Sequence, residues 1–311
     1  MDIAFIVDPI AGLKAYKDSS VFMMREAGKQ GHNVWAFEAK AMFSRGNVVS
    51  ANAKQLVLSA DNHAWYTVKQ EVIKPLAEFG AVLMREDPPF DQEYLYATLL
   101  LSLAESQGAR IVNRPASLRD YNEKLAILKF AEFTSPTLVS AEMARIHAFV
   151  DEHQDVILKK LDGMGGTSIF RVTATDANRN AIIEVQTEYG RSSIMAQRYI
   201  PEIAQGDKRV LVINGKVAEH ALARIPKAGE TRGNLAAGGK GVAMPITPRE
   251  REIAEALGPT LKRDGLIIVG LDIIGDYLTE VNVTSPTCMV EIFEQTGENI
   301  AAAVVDAINR G

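Results

Sequence analysis

The sequence predicts an α/β region at the N-terminus followed by an α+β region. Strand and helix signals alternate over the first 120 residues, which is typical of a parallel sheet covered by helices. Beyond that point short apolar strands are frequent, and the dipeptide Asn214-Gly215 indicates the tight turn of a β-hairpin. The chain has 311 residues, which is enough for about two domains.

Apolar runs and glycines define the elements of the first region. Helices are expected to end at Gly31 and Gly108, because glycine readily adopts the left-handed conformation that stops a helix. The turn after the first strand lacks the Gly-x-Gly-x-x-Gly pattern, so a nicotinamide-dependent dehydrogenase is disfavoured. The expected strands span residues 3–7, 33–37, 81–84 and 111–113, and the expected helices span residues 20–30 and 91–107.

The second region is expected to begin with a linker and a helix, over residues 113–128. Short strands rich in β-branched residues then follow. They span residues 156–160, 194–199, 209–213 and 217–222.

Composition argues against several classes of function. A net charge of −5 and a pI near 5.7 disfavour a nucleic-acid partner bound through its phosphates. No apolar run reaches the roughly 20 residues of a membrane-spanning helix, so no membrane partner is expected. The single cysteine, Cys288, precludes an internal disulfide, and together with a first strand that lacks a signal-peptide pattern it favours the cytoplasm.

Acidic and amide side chains among apolar residues at 270–286 give the sharpest chemical signal. Glu280 and Asn282 share one face of a strand, and Asp272 lies on the preceding strand. Ionised groups in an apolar hairpin are costly unless a cation compensates them. Mg²⁺ takes one or two carboxylates together with substrate phosphates, so these three side chains predict a Mg²⁺ site. A solvent-exposed hairpin face is the alternative.

The register of this hairpin decides whether the acids can meet. A two-residue turn at Gly275-Asp276 pairs Ile274 with Tyr277 and sends Asp272 and Glu280 to opposite faces. A shared face needs either a turn of three residues, which is the simplest solution, or a local β-bulge. In both cases Asp272 pairs with Glu280, at a distance where two carboxylates repel unless a cation lies beside them.

A glycine-rich turn follows the strand expected at 156–160. Lys159 near the end of that strand supplies a positive charge suited to phosphate, and the turn leaves backbone N–H groups free to approach an anion. A hairpin turn uses the same residue types, so the lysine is what favours a phosphate site. The turn contains Gly163, Gly165, Gly166, Thr167 and Ser168.

A second glycine-rich segment, 225–241, contains almost no large apolar side chain and cannot pack a core. One interpretation is a surface loop, and the other is a mobile lid that closes Arg232 over phosphate and substrate. Arg209 and Arg224, on the strands before it, are expected to supply fixed charge, because a planar guanidinium binds pairs of carboxylate or phosphate oxygens.

The motif REDPPFD at 85–91 follows an expected strand, at the sheet edge where α/β proteins bind ligands. Its two prolines stiffen the turn, and Arg85 is a candidate for holding a substrate carboxylate. A rigid loop with a structural ion pair is the alternative.

Together these motifs resemble the ATP-grasp superfamily and, within it, the bacterial glutathione synthetases. The resemblance covers nearly the whole chain and is weakest over residues 38–70 and 140–155. Lys160 stands where the family often has proline, which leaves Lys159 unaffected. The matching strings are REDPPFD at 85–91, SLRD at 117–120, NEKL at 122–125, LDGMGG at 161–166, GDKRVLV at 206–212, LARIP at 222–226, GETRGNLAAGG at 229–239 and residues 270–286.

The resemblance implies an ATP-dependent ligase that joins γ-glutamylcysteine and glycine through an acyl phosphate, giving glutathione, ADP and phosphate. It implies Mg²⁺, with Mn²⁺ as a substitute, and ATP as co-substrate. The catalytic residues implied are Arg209, Arg232 and Arg224. The residues implied in ATP binding are Lys124, Lys159, Gly163, Gly165, Gly166, Thr167, Ser168, Gln197, Arg198, Tyr199 and Ile200. Those for substrate are Arg85, Asn282, Ser285 and Thr287, and those for metal are Asp272, Glu280 and Asn282.

The fold implied is an N-terminal parallel-sheet domain followed by an ATP-grasp pair of α+β subdomains, often assembled as a homotetramer. The expected boundaries are 1–121, 122–201 and 202–311. One rival is another ATP-grasp ligase, such as a D-alanine–D-alanine ligase or a ribosomal-protein glutamate ligase, which the strings at 85–91 and 229–239 disfavour. A non-catalytic ATP-binding regulator is the other rival, disfavoured by the intact set of arginines and metal ligands.

Overall fold

The computed structural model describes residues 1–163, 165–227 and 239–310. These residues form three sheets that follow one another along the chain. The strands of the sheets lie within residues 2–112, 137–198 and 207–282, so each sheet falls inside one of the three expected segments. The exact boundaries of those segments stay a prediction.

The first sheet has a parallel centre and an antiparallel extension. Its strands are β1 Asp2–Ile6, β2 Asn33–Phe37, β3 Met42–Arg45, β4 Val48–Leu58, β5 Tyr66–Pro75, β6 Ala81–Met84 and β7 Ile111–Val112. They are ordered β3-β4-β2-β1-β6-β7, with β5 beside β4. The parallel pairing expected from the sequence holds for β1, β2, β6 and β7. The sheet is not parallel throughout, because β3, β4 and β5 pair antiparallel. Because β5 exposes both faces, its sequence lacks a clear apolar alternation.

Two long helices pack on this sheet, α1 Ser19–Lys29 and α2 Gln92–Ser106. Each begins at an aspartate whose side chain accepts a hydrogen bond from the first turn, Asp18 from Val21 N–H and Asp91 from Tyr94 N–H. The predicted stops at Gly31 and Gly108 have φ of +82° and +94°, as a left-handed helix end requires.

The second sheet is antiparallel and has its own core. Its strands are β8 Thr137–Ser140, β9 Asp155–Lys160, β10 Ile169–Thr173 and β11 Ile194–Arg198, in the order β10-β9-β11-β8. The chain reaches it through α3 Pro115–Asp120 and a 3-10 segment, Leu125–Phe133, and it carries α4 Met143–His153 and α5 Arg179–Gln186. The buried residues that form its core are Ile146, Val150, Val156, Leu158, Val172, Ile183, Ile194 and Ala196.

The third sheet is antiparallel and holds the hairpin that the sequence singled out. Its strands are β12 Asp207–Ile213, β13 Lys216–Ile225, β14 Lys240–Pro245, β15 Ile268–Ile274 and β16 Tyr277–Asn282, in the order β14-β13-β12-β15-β16. The turn predicted at Asn214-Gly215 is confirmed, with φ of +49° and +77°. A 3-10 segment, Pro201–Gln205, precedes the sheet, and its helices are α6 Pro248–Arg263, α7 Met289–Thr296 and α8 Ile300–Arg310.

The first and third sheets are joined by shared cores and by one buried amide. Two apolar clusters each contain residues of both sheets. The Asn113 side-chain amide, after β7, donates to the carbonyls of Ile268 and Val283, both at 2.8 Å. Its oxygen accepts from the N–H groups of Ile267 at 2.7 Å and Ile268 at 2.8 Å. Among the described residues no helix is both long and apolar enough to span a membrane.

Candidate active site

Two adjoining clefts open where the second and third sheets face each other. The lysine cleft, of about 830 Å³, is lined by Lys124 and Lys159, and the arginine cleft, of about 870 Å³, by Arg209 and Arg224. The residues common to the two clefts are Glu123, Gly165 and Glu280.

The lysine cleft brings together residues far apart in sequence, from β9, the glycine-rich turn and the end of β11. Ser168, which has φ of +57°, does not line it, and Met164 lies outside the described residues. The sequence-predicted ATP-binding residues that do line it are Lys124, Lys159, Gly163, Gly165, Gly166, Thr167, Gln197, Arg198, Tyr199 and Ile200.

The two lysines of this cleft differ in how their charge is compensated. Lys124 Nζ donates to Glu123 Oε1 at 2.5 Å and to the Gly163 carbonyl at 2.6 Å, and lies 3.8 Å from Glu280 Oε1. Burial opposes its charge, but Glu280 and Glu123 raise the pKa of Lys124 above its usual value. Lys159 Nζ has no hydrogen bond or ion pair among the described residues. Burial lowers the pKa of Lys159, and the nearby charge of Glu280 offsets this only in part. A buried cation whose charge is only partly compensated favours an anionic ligand.

The segment 197–200, called the hinge below, lines the lysine cleft. Gln197 Nε2 donates to Thr137 Oγ1 at 3.0 Å, and the guanidinium of Arg171 lies 3.7 Å from the centre of the Tyr199 ring. These side chains are therefore engaged outside the cleft. The N–H of Ile200 has no hydrogen-bond partner in the part of the chain that the structure describes, which leaves it available to a ligand.

In the β15–β16 hairpin a β-bulge, rather than a three-residue turn, places Asp272 and Glu280 on one face. Ile274 pairs with Tyr277, so the turn has two residues and the expectation of three is wrong. A bulge at Thr279 shifts the register, and Asp272 pairs with Glu280 as predicted. Thr279 Oγ1 donates to the Asp272 carbonyl at 3.0 Å and fixes the bulge. Directly paired residues of antiparallel strands lie on one face, so the two carboxylates face the same cleft.

Two arginines hold Asp272. Arg209 binds both of its oxygens, with Nε to Oδ1 and Nη2 to Oδ2 at 3.0 Å, and Arg224 Nη2 lies 2.9 Å from Oδ2. Arg224 also donates to Asp207 Oδ2 at 2.6 Å. Burial opposes ionisation of Asp272, but Arg209 and Arg224 offset it and hold the pKa of that carboxyl below its usual range. Burial raises the pKa of Asp207, and Arg224 only partly offsets this rise. Asp272 is thus a fixed anion.

The donor set in the arginine cleft fits a hard divalent cation. Asp272 and Glu280 offer carboxylate oxygens, and Asn282 donates through Nδ2 to the Gly270 carbonyl at 3.3 Å, which leaves its Oδ1 to accept. No group of three His, Cys, Asp or Glu side chains forms a complete cage in the described residues. Mg²⁺ needs none, because it takes phosphate oxygens and water as its remaining ligands.

The structure places Arg85 behind the arginine cleft rather than in its wall. Its Nε donates to Ser20 Oγ at 3.1 Å and its Nη2 donates to the Pro286 carbonyl at 2.9 Å, while its buried Nη1 has no partner among the described residues. Ser285 and Thr287, on either side of Pro286, do line the cleft. In the described arrangement Arg85 therefore supports the loop that carries them.

The remaining candidate residues include one outside the described residues and several that the sequence did not predict. Arg232 lies outside the described residues, as does most of the predicted lid, residues 228–238. Sequence reasoning missed Glu123, although it precedes the phosphate lysine in the NEKL string, and its carbonyl accepts from the Val281 N–H at 2.8 Å. It also assigned no site role to Asp87, Pro88 and Thr284, which line the arginine cleft together with the buried Cys288.

Comparisons with known proteins agree with this geometry. A family model for the prokaryotic glutathione synthetase N-terminal domain matches residues 1–119, and one for the prokaryotic glutathione synthetase ATP-grasp domain matches residues 123–297. The glutathione synthetase of Ralstonia nicotianae is 53% identical over 310 residues, covering 100% of this chain and 96% of the relative. Those of Neisseria meningitidis serogroup B and Vibrio parahaemolyticus are 51% and 50% identical, each covering 99% of this chain and 98% of the relative.

Solved structures show the same fold at low sequence identity. The D-cycloserine synthetase DcsG superposes with a TM-score of 0.70 at 14% identity, covering 100% of this chain and 99% of that one. A RimK domain ATP-grasp protein from Sphaerobacter thermophilus superposes with a TM-score of 0.64 at 20% identity, covering 99% of each chain. The family matches span almost the whole sequence and carry ATP use and dependence on a divalent metal with them. The chain is thus an ATP-dependent ligase that belongs to the prokaryotic glutathione synthetase family.

Proposed function

We propose that this chain catalyses the reaction ATP + γ-glutamylcysteine + glycine → ADP + phosphate + glutathione. An oxygen of the cysteinyl carboxylate attacks the γ-phosphorus, and ADP leaves. The glycine amine attacks the resulting acyl phosphate, phosphate leaves with the bonding electron pair, and the amine loses a proton. The observation that carries this proposal is the match to glutathione synthetases over the full length of the chain, both clefts included.

The lysine cleft is the proposed ATP site. The buried charge of Lys159 supports this assignment, because its Nζ has no ion pair among the described residues and a polyphosphate would supply one. Lys124 and the glycine-rich turn, residues 163–168, are proposed to contact the same phosphates. The hinge, with the free N–H of Ile200, is proposed to recognise the edge of adenine through its backbone.

Mg²⁺ is the proposed metal, with Mn²⁺ as a substitute, held by Asp272, Glu280 and Asn282. When bound, the ion supplies positive charge at the phosphate oxygens during transfer. The chain prepares for it in two ways. Arg209 keeps Asp272 ionised, and the bulge at Thr279 keeps Glu280 on the same face, so both acids face the cleft before a ligand arrives.

The arginine cleft is the proposed site of the acyl phosphate. Its buried guanidinium groups suit the charge that develops on phosphoryl and tetrahedral oxygens, so catalysis rests on positioning and charge neutralisation. Cys288 is disfavoured as a nucleophile, because burial raises the pKa of its thiol. The residues proposed for charge neutralisation are Arg209, Arg224 and Arg232, and those proposed for the dipeptide are Asn282, Ser285 and Thr287, with Arg85 as their support.

Family resemblance also leads us to expect a homotetramer. From the single cysteine we expect the protein in the cytoplasm. From the acidic pI we expect no nucleic-acid partner. Sedimentation equilibrium of the purified protein measures the assembly directly, and a monomer at micromolar concentration would contradict the tetramer.

ADP release with each substrate omitted in turn tests the proposed reaction. With Mg²⁺-ATP present, we expect release only when γ-glutamylcysteine and glycine are both supplied, and we expect mass spectrometry to identify glutathione. Equal ADP release without glycine, or none with all substrates present, would contradict the proposal. Faster turnover with D-alanine or a glutamate-terminated peptide would favour a different ATP-grasp ligase.

A further inference from the structure

The tip of the β15–β16 hairpin is attached to the hinge. Arg198, the last residue of β11, donates through Nη2 to Tyr277 Oη at 3.0 Å, and its guanidinium lies 5.6 Å from the centre of the Tyr277 ring. Tyr277 is the first residue of β16. Both side chains are half-buried, so water screens the contact only in part.

A second contact joins the same two segments. A Cβ added to Gly275, in the hairpin turn, would lie only 3.2 Å from Cβ and Cγ of Glu202, in the 3-10 segment after the hinge. Such spacing is tighter than ordinary van der Waals contact, so the turn already packs closely on Glu202. The hinge and the hairpin tip therefore meet at two points.

The hairpin transmits the position of its tip to the acids further along it. Asp272 and Glu280 lie on β15 and β16, three residues from Gly275 and Tyr277 respectively. The ladder between these strands and the Thr279 bond to the Asp272 carbonyl connect the tip to both acids. A displacement of the hinge would consequently move Glu280, on the edge strand β16, relative to Asp272, which β12 and the two arginines also hold.

We propose that Arg198 and Tyr277 are positioning residues that couple nucleotide binding at the hinge to metal binding at Asp272 and Glu280. A nucleotide that orders the hinge fixes the hairpin tip through this pair, and a metal ion that fixes the acids orders the hinge in return. Such coupling is reciprocal by thermodynamic necessity. The inference rests on the proposed function, which places adenine and the metal ion at these two ends.

Calorimetric titration with ADP tests the coupling without turnover. The dissociation constant for ADP is measured once in EDTA and once in saturating Mg²⁺. The quantity compared between variants is the constant in EDTA divided by the constant in Mg²⁺, which a merely structural role leaves unchanged. We expect Tyr277→Phe, which removes only the hydroxyl, to lower this ratio about fivefold or more. Arg198→Ala should lower it equally, the double variant no further, and Arg198→Lys should keep part of it when Tyr277 is present.

Arg249→Ala is the matched control. Arg249, on α6, donates through Nε to the Asp276 carbonyl at 3.2 Å, so it holds the same turn without touching the hinge. We expect its ratio to equal that of the unmodified protein. An unchanged ratio in Tyr277→Phe and Arg198→Ala, or an equal loss in Arg249→Ala, overturns the coupling. Failure of the unmodified protein to bind ADP in either condition overturns the proposed function itself.

Discussion

The third sheet meets the rest of the molecule at two boundaries of opposite character. Towards the first sheet it shares two apolar cores and the four hydrogen bonds of Asn113. Towards the second sheet it presents the lysine and arginine clefts, which are lined by buried side chains of charged type, namely Lys124, Lys159, Arg209, Arg224 and Asp272. The second sheet has its own core within residues 146–196, and Met195 of β11 also joins the apolar cluster that spans the other two sheets.

This difference suggests that one boundary of the third sheet mainly stabilises the fold and the other mainly binds ligands. Apolar packing and satisfied amides stabilise the boundary with the first sheet, so substitutions there should change the free energy of unfolding. At the boundary with the second sheet, charged side chains line the two clefts and can bind ligands. A buried unpaired charge destabilises the protein when no ligand is bound. Substitutions there should change turnover or affinity and leave stability equal or higher.

The largest expected effect is on turnover, in Glu280→Gln. The substitution keeps the size of the side chain and removes one of the two paired carboxylates. We expect kcat to fall about 10²- to 10³-fold, the usual cost of losing a group that stabilises transition-state charge. ADP release measures it, and urea unfolding should show little change in stability. Glu255→Gln, at an exposed position of α6, is the control, and turnover within tenfold of the unmodified protein would refute the metal assignment.

Asn113→Ala should have the largest effect on stability. It leaves two carbonyls and two N–H groups of the third sheet without their partner. Buried groups of this kind cost about 1–3 kcal/mol each, so we expect urea unfolding to show a loss of about 3 kcal/mol or more. Asn309→Ala, which removes an exposed hydrogen bond from the Asn309 side chain on α8 to the Gln30 side chain, is the control. A loss below about 1 kcal/mol would mean that this boundary depends on its apolar cores alone.

Lys159→Met should weaken nucleotide binding without weakening the fold. We expect the affinity for ADP to fall about tenfold, which corresponds to about 1.4 kcal/mol. The melting temperature should stay equal or rise, because the buried charge disappears. Lys160→Met, on the same strand but paired with Glu188, should leave the affinity unchanged. A lower melting temperature in Lys159→Met would show that this lysine stabilises the empty cleft.

Tyr121→Phe should have the smallest effect, and one that depends on pH. Tyr121 Oη donates to Asp264 Oδ2 at 2.6 Å and lowers the pKa of that carboxyl. We expect a loss of about 1 kcal/mol at pH 7, measured by urea unfolding. A lowered pKa in the folded state stabilises above the unfolded value of about 3.9 and ceases to do so as pH falls through the folded value. The difference between the two proteins should therefore shrink below about pH 4, and a constant difference would exclude an ionised acceptor.

Local sequence patterns predicted the elements whose signals lie within a few residues. Strands β2 and β6 span the residues expected, and Gly31 and Gly108 end helices as predicted. The pairing of Asp272 with Glu280 followed from a chemical requirement, a shared face for two metal ligands. The requirement that two metal ligands share a face thus predicted the register of β15 and β16 more reliably than the sequence of the turn did.

The misses have different physical causes, two of them local and one a contact between distant segments. The bulge at Thr279 replaced the longer turn, and no feature of the isolated hairpin sequence selects between them. Arg85 faces the Pro286 carbonyl, 201 residues away, rather than the cleft. Strand β5 carries few buried residues, so its pairing depends on β4 and leaves no periodic signal.

The shared core of the first and third sheets sets an order for folding during synthesis. Helix α1 packs against α8, and Asn299 beside α8 donates to Glu26 of α1 across 273 residues. Helix α1 also packs on the first sheet, but a ribosome must deliver nearly the whole chain before the surface of α1 that contacts α8 is buried. The second sheet, with its core encoded between residues 146 and 196, can close as soon as it emerges. The middle of the polypeptide is thus the first part able to fold to completion, and its beginning is among the last.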